Sequence, residues 1–90
     1  MYDDAVAVLR SWIGEPVTVV LEPDGTVMRG VLSELDPAGL DGALFAVDAD
    51  QTDSGIAVTL FRDSVESSAV DDGELVVQQG RVTVRVRPRT

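Results

Sequence analysis

The sequence contains no cysteine, histidine or lysine, and only four of its ninety residues are aromatic. The absence of cysteine excludes disulfides and thiolate chemistry. A serine nucleophile lacks its usual base without histidine or lysine, and a metal site lacks its commonest nitrogen ligand. Neither a glycine-rich phosphate loop nor a P-loop pattern occurs. We therefore predict a protein that is not an enzyme and has no cofactor, and we assign no catalytic or metal-binding residue.

The sequence also lacks the marks of export and of membrane insertion. Its first residues are acidic where a signal peptide is basic, and no apolar run approaches the ~20 residues that cross a bilayer. We expect a cytoplasmic protein with no membrane partner. Arginine is the only base, and Ala, Val, Gly and Asp are abundant, which is typical of a GC-rich bacterial genome. The length predicts a single domain over residues 1–90.

Charge is distributed unevenly along the chain. Residues 1–80 carry three arginines and sixteen acids (3 − 16 = −13), and the last ten residues carry four arginines and no acid (+4), which gives the net charge of −9. An acidic body repels phosphate backbones, so the composition argues against nucleic acid as a partner. Solubility is the simplest role for the acids. Mimicry of nucleic acid and capture of a basic partner are the alternatives.

Periodicity predicts one helix followed only by strands. Tyr2, Val6, Leu9 and Ile13 recur at helical spacing, which predicts a helix over residues 2–13. Alternation with a period of two and frequent turn residues then predict a small antiparallel barrel over 16–70 and a β-hairpin over 74–88. The residues expected in the core are Val6, Leu9, Trp12, Val19, Leu21, Val31, Leu44, Val47, Val58 and Leu60.

Three positions are assigned structural roles. Gly25 ends a Pro-Asp-Gly turn, and Gly30 lies inside the second predicted strand, where a glycine indicates a bend or a close backbone approach. The strand is predicted over about Thr26–Leu35, and Asp36 begins the loop that follows it. We expect a β-branched residue at Gly30 to destabilise the fold.

Two short patterns resemble the signatures of the Sm-like family, which includes the bacterial RNA chaperone Hfq. The first is Gly30-x-Leu32-x-x-Leu35-Asp36, and the second is the segment from Leu60 to Val65, LFRDSV. The resemblance covers roughly residues 2–70 and implies a mainly β fold, with an N-terminal α-helix and a five-stranded Sm-like or SH3-like antiparallel barrel. The C-terminal β-hairpin is then an addition to that barrel.

The sequence departs from the family at the residues that would bind RNA. Sm-like proteins usually carry an aromatic or histidine and an asparagine in the loop after the aspartate, whereas this loop reads PAGLDG. Base stacking needs a π-face or a guanidinium plane. The base of the second signature is kept as Arg62, but Asp63 follows it. Arg62 is therefore interpreted first as a structural arginine paired with an acid, and second as a retained RNA ligand.

The C-terminal hairpin alternates valines with arginines. Val82, Val84 and Val86 share one face, and Arg81, Arg85 and Arg87 lie on the other. The arginines have three interpretations: protection of an edge strand, pairing with the acidic body, and contact with an acidic partner or nucleic acid. The candidate interaction surface consists of Arg62, Arg81, Arg85, Arg87 and Arg89.

Two acidic patterns fail as chemical sites. In the loop DADQTDSG over 48–55, the glycine and the twelfth position do not match a calcium-binding EF-hand loop. Asp36, Asp41 and Asp63 could supply a carboxylate pair, but their spacing selects none.

The sequence therefore favours a non-enzymatic protein-interaction module or self-assembling scaffold, whose partner is a second copy or an unidentified protein. The alternative is an RNA-binding Sm-like protein that uses Arg62 and the C-terminal arginines.

Overall fold

The computed structural model describes residues 2–36, 42–49 and 56–89. One helix precedes seven strands: α1 (Tyr2–Ser11), β1 (Pro16–Glu22), β2 (Thr26–Asp36), β3 (Gly42–Ala49), β4 (Ile56–Phe61), β5 (Val65–Asp71), β6 (Glu74–Gln79) and β7 (Val82–Pro88). The prediction of a mainly β chain with an N-terminal helix is confirmed.

The helix is shorter than the predicted 2–13 because the chain after it joins the sheet. The Gly14 amide donates a hydrogen bond to the Leu32 carbonyl (2.8 Å), and the Leu32 amide donates to the Glu15 carbonyl (3.1 Å). Gly14 has a φ of +87°, a conformation that glycine adopts without strain and that is common where helices end. The pairing with β2 therefore directs the chain out of the helix.

The strands form one antiparallel sheet in the order β4-β3-β2-β1-β7-β6-β5. The sheet has seven strands and is not closed, so the predicted five-stranded barrel with an added hairpin is not confirmed. Instead β7 pairs with β1 along its length, from Val17 opposite Pro88 to Glu22 opposite Thr83. The two strands of the C-terminal hairpin, β6 and β7, are therefore interior strands of the sheet. The edge strands of the sheet are β4 and β5.

The sheet must curl strongly, because its two edge strands are consecutive in the chain. Only residues 62–64 separate the end of β4 from the start of β5. Phe61 and Val65 are four residues apart, so their Cα atoms lie at most ~14 Å from each other and the two strand ends are close together. The helix lies against β5 and β6, and the ion pair between Arg10 and Glu34 (3.2 Å) ties its C-terminal end to β2.

The core combines the apolar face of α1 with the inner face of the sheet. Of the predicted core residues, Val6, Leu9, Val19, Val47, Val58 and Leu60 are buried, and Trp12 and Leu21 are partly buried against the core. The principal residues that the prediction omitted are Tyr2, Val17, Met28, Leu32, Phe45, Leu75, Val77, Val84 and Val86.

Two predicted core residues were wrong: Val31, because β2 has the opposite phase, and Leu44, because Phe45, Ala46 and Val47 are all buried and β3 therefore has no clear alternation. Val31 is 37% exposed, since Met28 and Leu32 face the core and Val31 faces outward. Leu44 is half-buried, and its neighbour Phe45 is fully buried instead. Both errors arise in apolar runs whose alternation is weak.

The structural positions lie in β2 and in the turn before it. Gly25 has a φ of +75° and its amide donates to the Leu21 carbonyl (2.8 Å). Gly30 is buried and is paired with Val17 and Ala49, and Asp36 is the last residue of β2. The register of β2 shifts between Glu34 and Asp36. A bend at Gly30 stays a prediction.

Candidate interaction surface

The five predicted arginines lie in different parts of the molecule. Arg62 lies in the turn between β4 and β5, where its guanidinium is 3.3 Å from the Asp3 carboxylate and 4.6 Å from the centre of the Tyr2 ring. The turn is thereby attached to the N-terminal end of the helix. Arg62 has the acidic partner that its first interpretation requires.

Arg85 lies at the centre of the outer face and is held by two glutamates. Its Nε donates to Glu22 Oε1 on β1 (2.5 Å), and its Nη1 donates to Glu74 Oε1 on β6 (3.1 Å). These hydrogen bonds, first that to Glu22 and then that to Glu74, raise the pKa of Arg85 above its ordinary value. Arg85 links three neighbouring strands, and its guanidinium is already occupied.

The remaining C-terminal arginines lie at opposite ends of β7. Arg81 is exposed in the turn between β6 and β7, whereas Arg87 and Arg89 are exposed at the far end. The seven residues of β7 span ~20 Å. The hairpin therefore does not present its arginines as one continuous cluster.

Pairing across three strands places another arginine near Arg87. Thr18 on β1 is directly opposite Arg29 on β2 and directly opposite Arg87 on β7. Side chains that are opposite one another on neighbouring strands share one face of a sheet. We call Arg29, Thr18 and Arg87 the basic row. Two strand spacings put its arginine backbones ~10 Å apart.

The two arginines of the basic row differ from Arg62 and Arg85 in their ion pairing. Neither Arg29 nor Arg87 forms an ion pair with another described residue, and both are exposed. On β2, Val27 and Val31 flank Arg29 on the same face and are 46% and 37% exposed. The row therefore combines two cations with exposed apolar surface.

An open groove of about 620 Å³ adjoins the row beside the turn between β5 and β6. Asp72 is the one acid among the lining residues of the groove, and its φ is +53°. It is lined by Thr18, Asp72, Gly73, Arg87, Pro88 and Arg89. The groove gives an extended ligand room to continue past Arg87.

Arg29 was missed because β2 was assigned the wrong phase. Residues at i and i+2 of a strand share a face, so a core position for Val31 would have buried Arg29 with it. A buried and unpaired arginine is costly. The charge of Arg29 was therefore the signal in the sequence that Val31 faces outward.

The structure describes only part of the two acidic patterns. Among the described residues, no group of three or more potential metal ligands is found. Asp36 ends β2 and Asp63 lies in the turn after β4. Asp41 and residues 50–55 of the acidic loop lie outside the described residues. No described helix is long and apolar enough to cross a membrane.

Comparisons with known proteins identify no relative. No family model matches the chain, and neither the curated proteins nor the solved structures include a match. Membership of the Sm-like family therefore stays a prediction from the two short patterns.

Proposed function

We propose that this chain is a non-enzymatic protein-interaction module that binds an acidic segment of another protein across the basic row. The observation that carries the proposal is the pairing of Thr18 with both Arg29 and Arg87. It places two exposed guanidinium groups on one face of an otherwise acidic protein. Arginine binds carboxylates in a bidentate manner, which favours this ligand class.

The spacing of the row suggests the form of the ligand. A polyproline II helix has three residues per turn and rises ~3.1 Å per residue, so every third side chain lies on one face at ~9 Å intervals. This interval is close to the separation of the two arginine strands. Apolar residues between the carboxylates would contact Val27 and Val31. An acidic, proline-rich segment therefore suits the row.

RNA binding through Arg62 and the C-terminal arginines has weaker support. Arg62 is engaged with Asp3 and Tyr2, and Arg85 is engaged with Glu22 and Glu74. A phosphate ligand that uses Arg62 or Arg85 would have to displace the carboxylates that these arginines already bind.

Self-assembly through the sheet edges is the second candidate function. β4 and β5 both end the sheet, so each chain carries two edge strands. Edge strands present unpaired backbone groups to neighbouring chains. A head-to-tail contact between β4 and β5 of different copies would give a ring or a filament. In that case the native mass would exceed that of one chain.

The proposal is tested by titration of the protein with a labelled peptide of repeated Glu-Pro-Val triplets. Fluorescence anisotropy at ~50 mM salt, where charge contacts are weakly screened, gives the Kd. We expect saturable binding that weakens as salt is added. Arg29→Gln and Arg87→Gln should each raise the Kd at least about tenfold, because each removes one charge-assisted pair.

Two controls separate this site from general charge attraction. Arg81→Gln removes the same charge from the opposite end of β7 and should leave the Kd unchanged. A Gln-Pro-Val peptide should not bind. Equal weakening by all three variants would contradict a defined site. Binding of oligo-U or oligo-A without binding of the acidic peptide would favour the RNA alternative.

A further inference from the structure

The side chain of Gln79 forms two hydrogen bonds with the backbone of β4. The Phe61 amide donates to Gln79 Oε1 (2.7 Å), and Gln79 Nε2 donates to the Thr59 carbonyl (3.0 Å). Gln79 ends β6 and is directly opposite Val65, the first residue of β5. The contact therefore crosses the gap between the two edges of the sheet.

These two backbone groups are those that an added strand would use. Residues 59 and 61 direct their backbone groups to the same side of β4, away from β3, because alternate residues of a strand pair on the same side. A carboxamide has the donor and acceptor of a peptide group. The Phe61 carbonyl accepts a further hydrogen bond from the Ser64 amide (3.0 Å). Three edge groups at the C-terminal end of β4 are thus occupied within the chain.

We propose that the Gln79 carboxamide replaces a neighbouring strand on β4 and thereby prevents edge-to-edge pairing with a second copy of this chain. The second copy is the occupant because every copy carries both edge strands of the sheet, and the β5 edge of one copy can pair with an opened β4 edge of another. The exposed side chains of Phe61 on β4 (52%) and Val70 on β5 (55%) add apolar surface to each edge. Removal of the carboxamide would open the β4 edge. This inference is independent of acidic-peptide binding, and it is the alternative to self-assembly through the β4 edge, the second candidate function above.

The adjacent glutamine provides a matched control. Gln78 lies on the same strand but its side chain stays within its own hairpin, where Oε1 accepts from Thr83 Oγ1 (2.6 Å) and Nε2 donates to the Gly80 carbonyl (2.8 Å). Among the described residues, the Gln78 side chain forms no hydrogen bond with β4. Gln78→Ala therefore removes a similar side chain, with a similar number of hydrogen bonds, without opening the edge.

The test compares the wild-type chain with Gln79→Ala, Gln79→Met, Gln78→Ala and Gln78→Met. Native mass is measured by light scattering over a wide range of protein concentration. Amide hydrogen exchange at Phe61 is measured in dilute solution, since it reports the first hydrogen bond directly. Gln79→Met keeps the length of the side chain, adds no charge to the edge and lacks the donor and the acceptor of the carboxamide.

We expect a monomeric wild-type chain with a protected Phe61 amide. In Gln79→Ala, this amide should exchange at least about tenfold faster in dilute solution, and the mass should rise with concentration. Gln79→Met should also associate, and it decides the matter if the alanine variant does not fold. Gln78→Ala and Gln78→Met should behave as wild type. A monomeric Gln79→Met, or a wild-type chain that already pairs through β4, would overturn the inference.

Discussion

Alternate residues of β1 and β7 face opposite sides of the sheet, and the residues on the two sides have different roles. On the inner face, Val17, Val19 and Val86 are almost fully buried. On the outer face, Thr18 is half-buried and Arg87 is exposed, and both belong to the basic row. The same backbone ladder supports both faces. Substitutions on the inner face should therefore change stability, while those on the outer face should change binding.

A matched pair of valines gives the largest expected difference between the faces. Val19 is fully buried on β1, and Val27 is 46% exposed on β2. Val19→Ala should lower the free energy of unfolding by about 2–3 kcal/mol, because it removes two buried methyl groups and leaves a cavity. In a domain of this size, that loss lowers Tm by roughly 10–20 °C.

Val27→Ala is the control for that experiment. It should change the free energy of unfolding by less than about 0.5 kcal/mol. Thermal unfolding followed by circular dichroism measures both variants. Equal losses of stability would contradict the assignment of Val27 to the outer face.

Gly30 allows a test of how tightly the inner face is packed. It is buried on the same face as Met28 and Leu32. Gly30→Val would introduce three carbon atoms there and should destabilise the protein by about 1–3 kcal/mol. Gly30→Ala should cost less, because it adds one carbon and restricts the unfolded chain. An unchanged unfolding midpoint in urea for Gly30→Val would show that the core accommodates a valine side chain at this position without strain.

Local elements could be predicted from the sequence, because their signals lie within a few residues. The helical spacing of Tyr2, Val6 and Leu9 located α1, and the apolar run that ends at Phe61 located β4. Phase was harder to predict in β3, where Leu44 and Phe45 are adjacent apolar residues. Either residue could face the core on pattern alone.

The strand order and the contact between Gln79 and β4 depend on the proximity of residues that are distant in the sequence. The placement of β7 beside β1 joins residues more than sixty positions apart, and no local pattern specifies it. Gln79 gave no signal either, since its role depends on the proximity of Phe61 after the sheet curls. A close approach is also seen at Gly42, where an added Cβ would lie 2.5 Å from the Leu60 carbonyl oxygen.

Arg85 and Arg87 allow a comparison of two arginines on the outer face that differ in ion pairing. They lie two residues apart on the same strand. Arg85 is paired with Glu22 and Glu74, whereas Arg87 has no ion pair with another described residue. Arg85→Gln should lower the unfolding midpoint slightly at low salt, because it leaves two carboxylates facing each other across β7. The loss should shrink as the screening length falls from ~10 Å at 0.1 M salt to ~3 Å at 1 M.

Arg87→Gln makes the same change in net charge and should leave the unfolding midpoint unchanged at either salt concentration. The two variants should behave in the opposite way toward the acidic peptide, whose Kd should rise for Arg87→Gln and stay constant for Arg85→Gln. Paired thermal unfolding and anisotropy measurements on both proteins test this reversal. If Arg85→Gln weakened the peptide as much as Arg87→Gln does, the ligand would be responding to the charge of the whole face. The basic row would then not be a binding site distinct from Arg85 and its ion pairs.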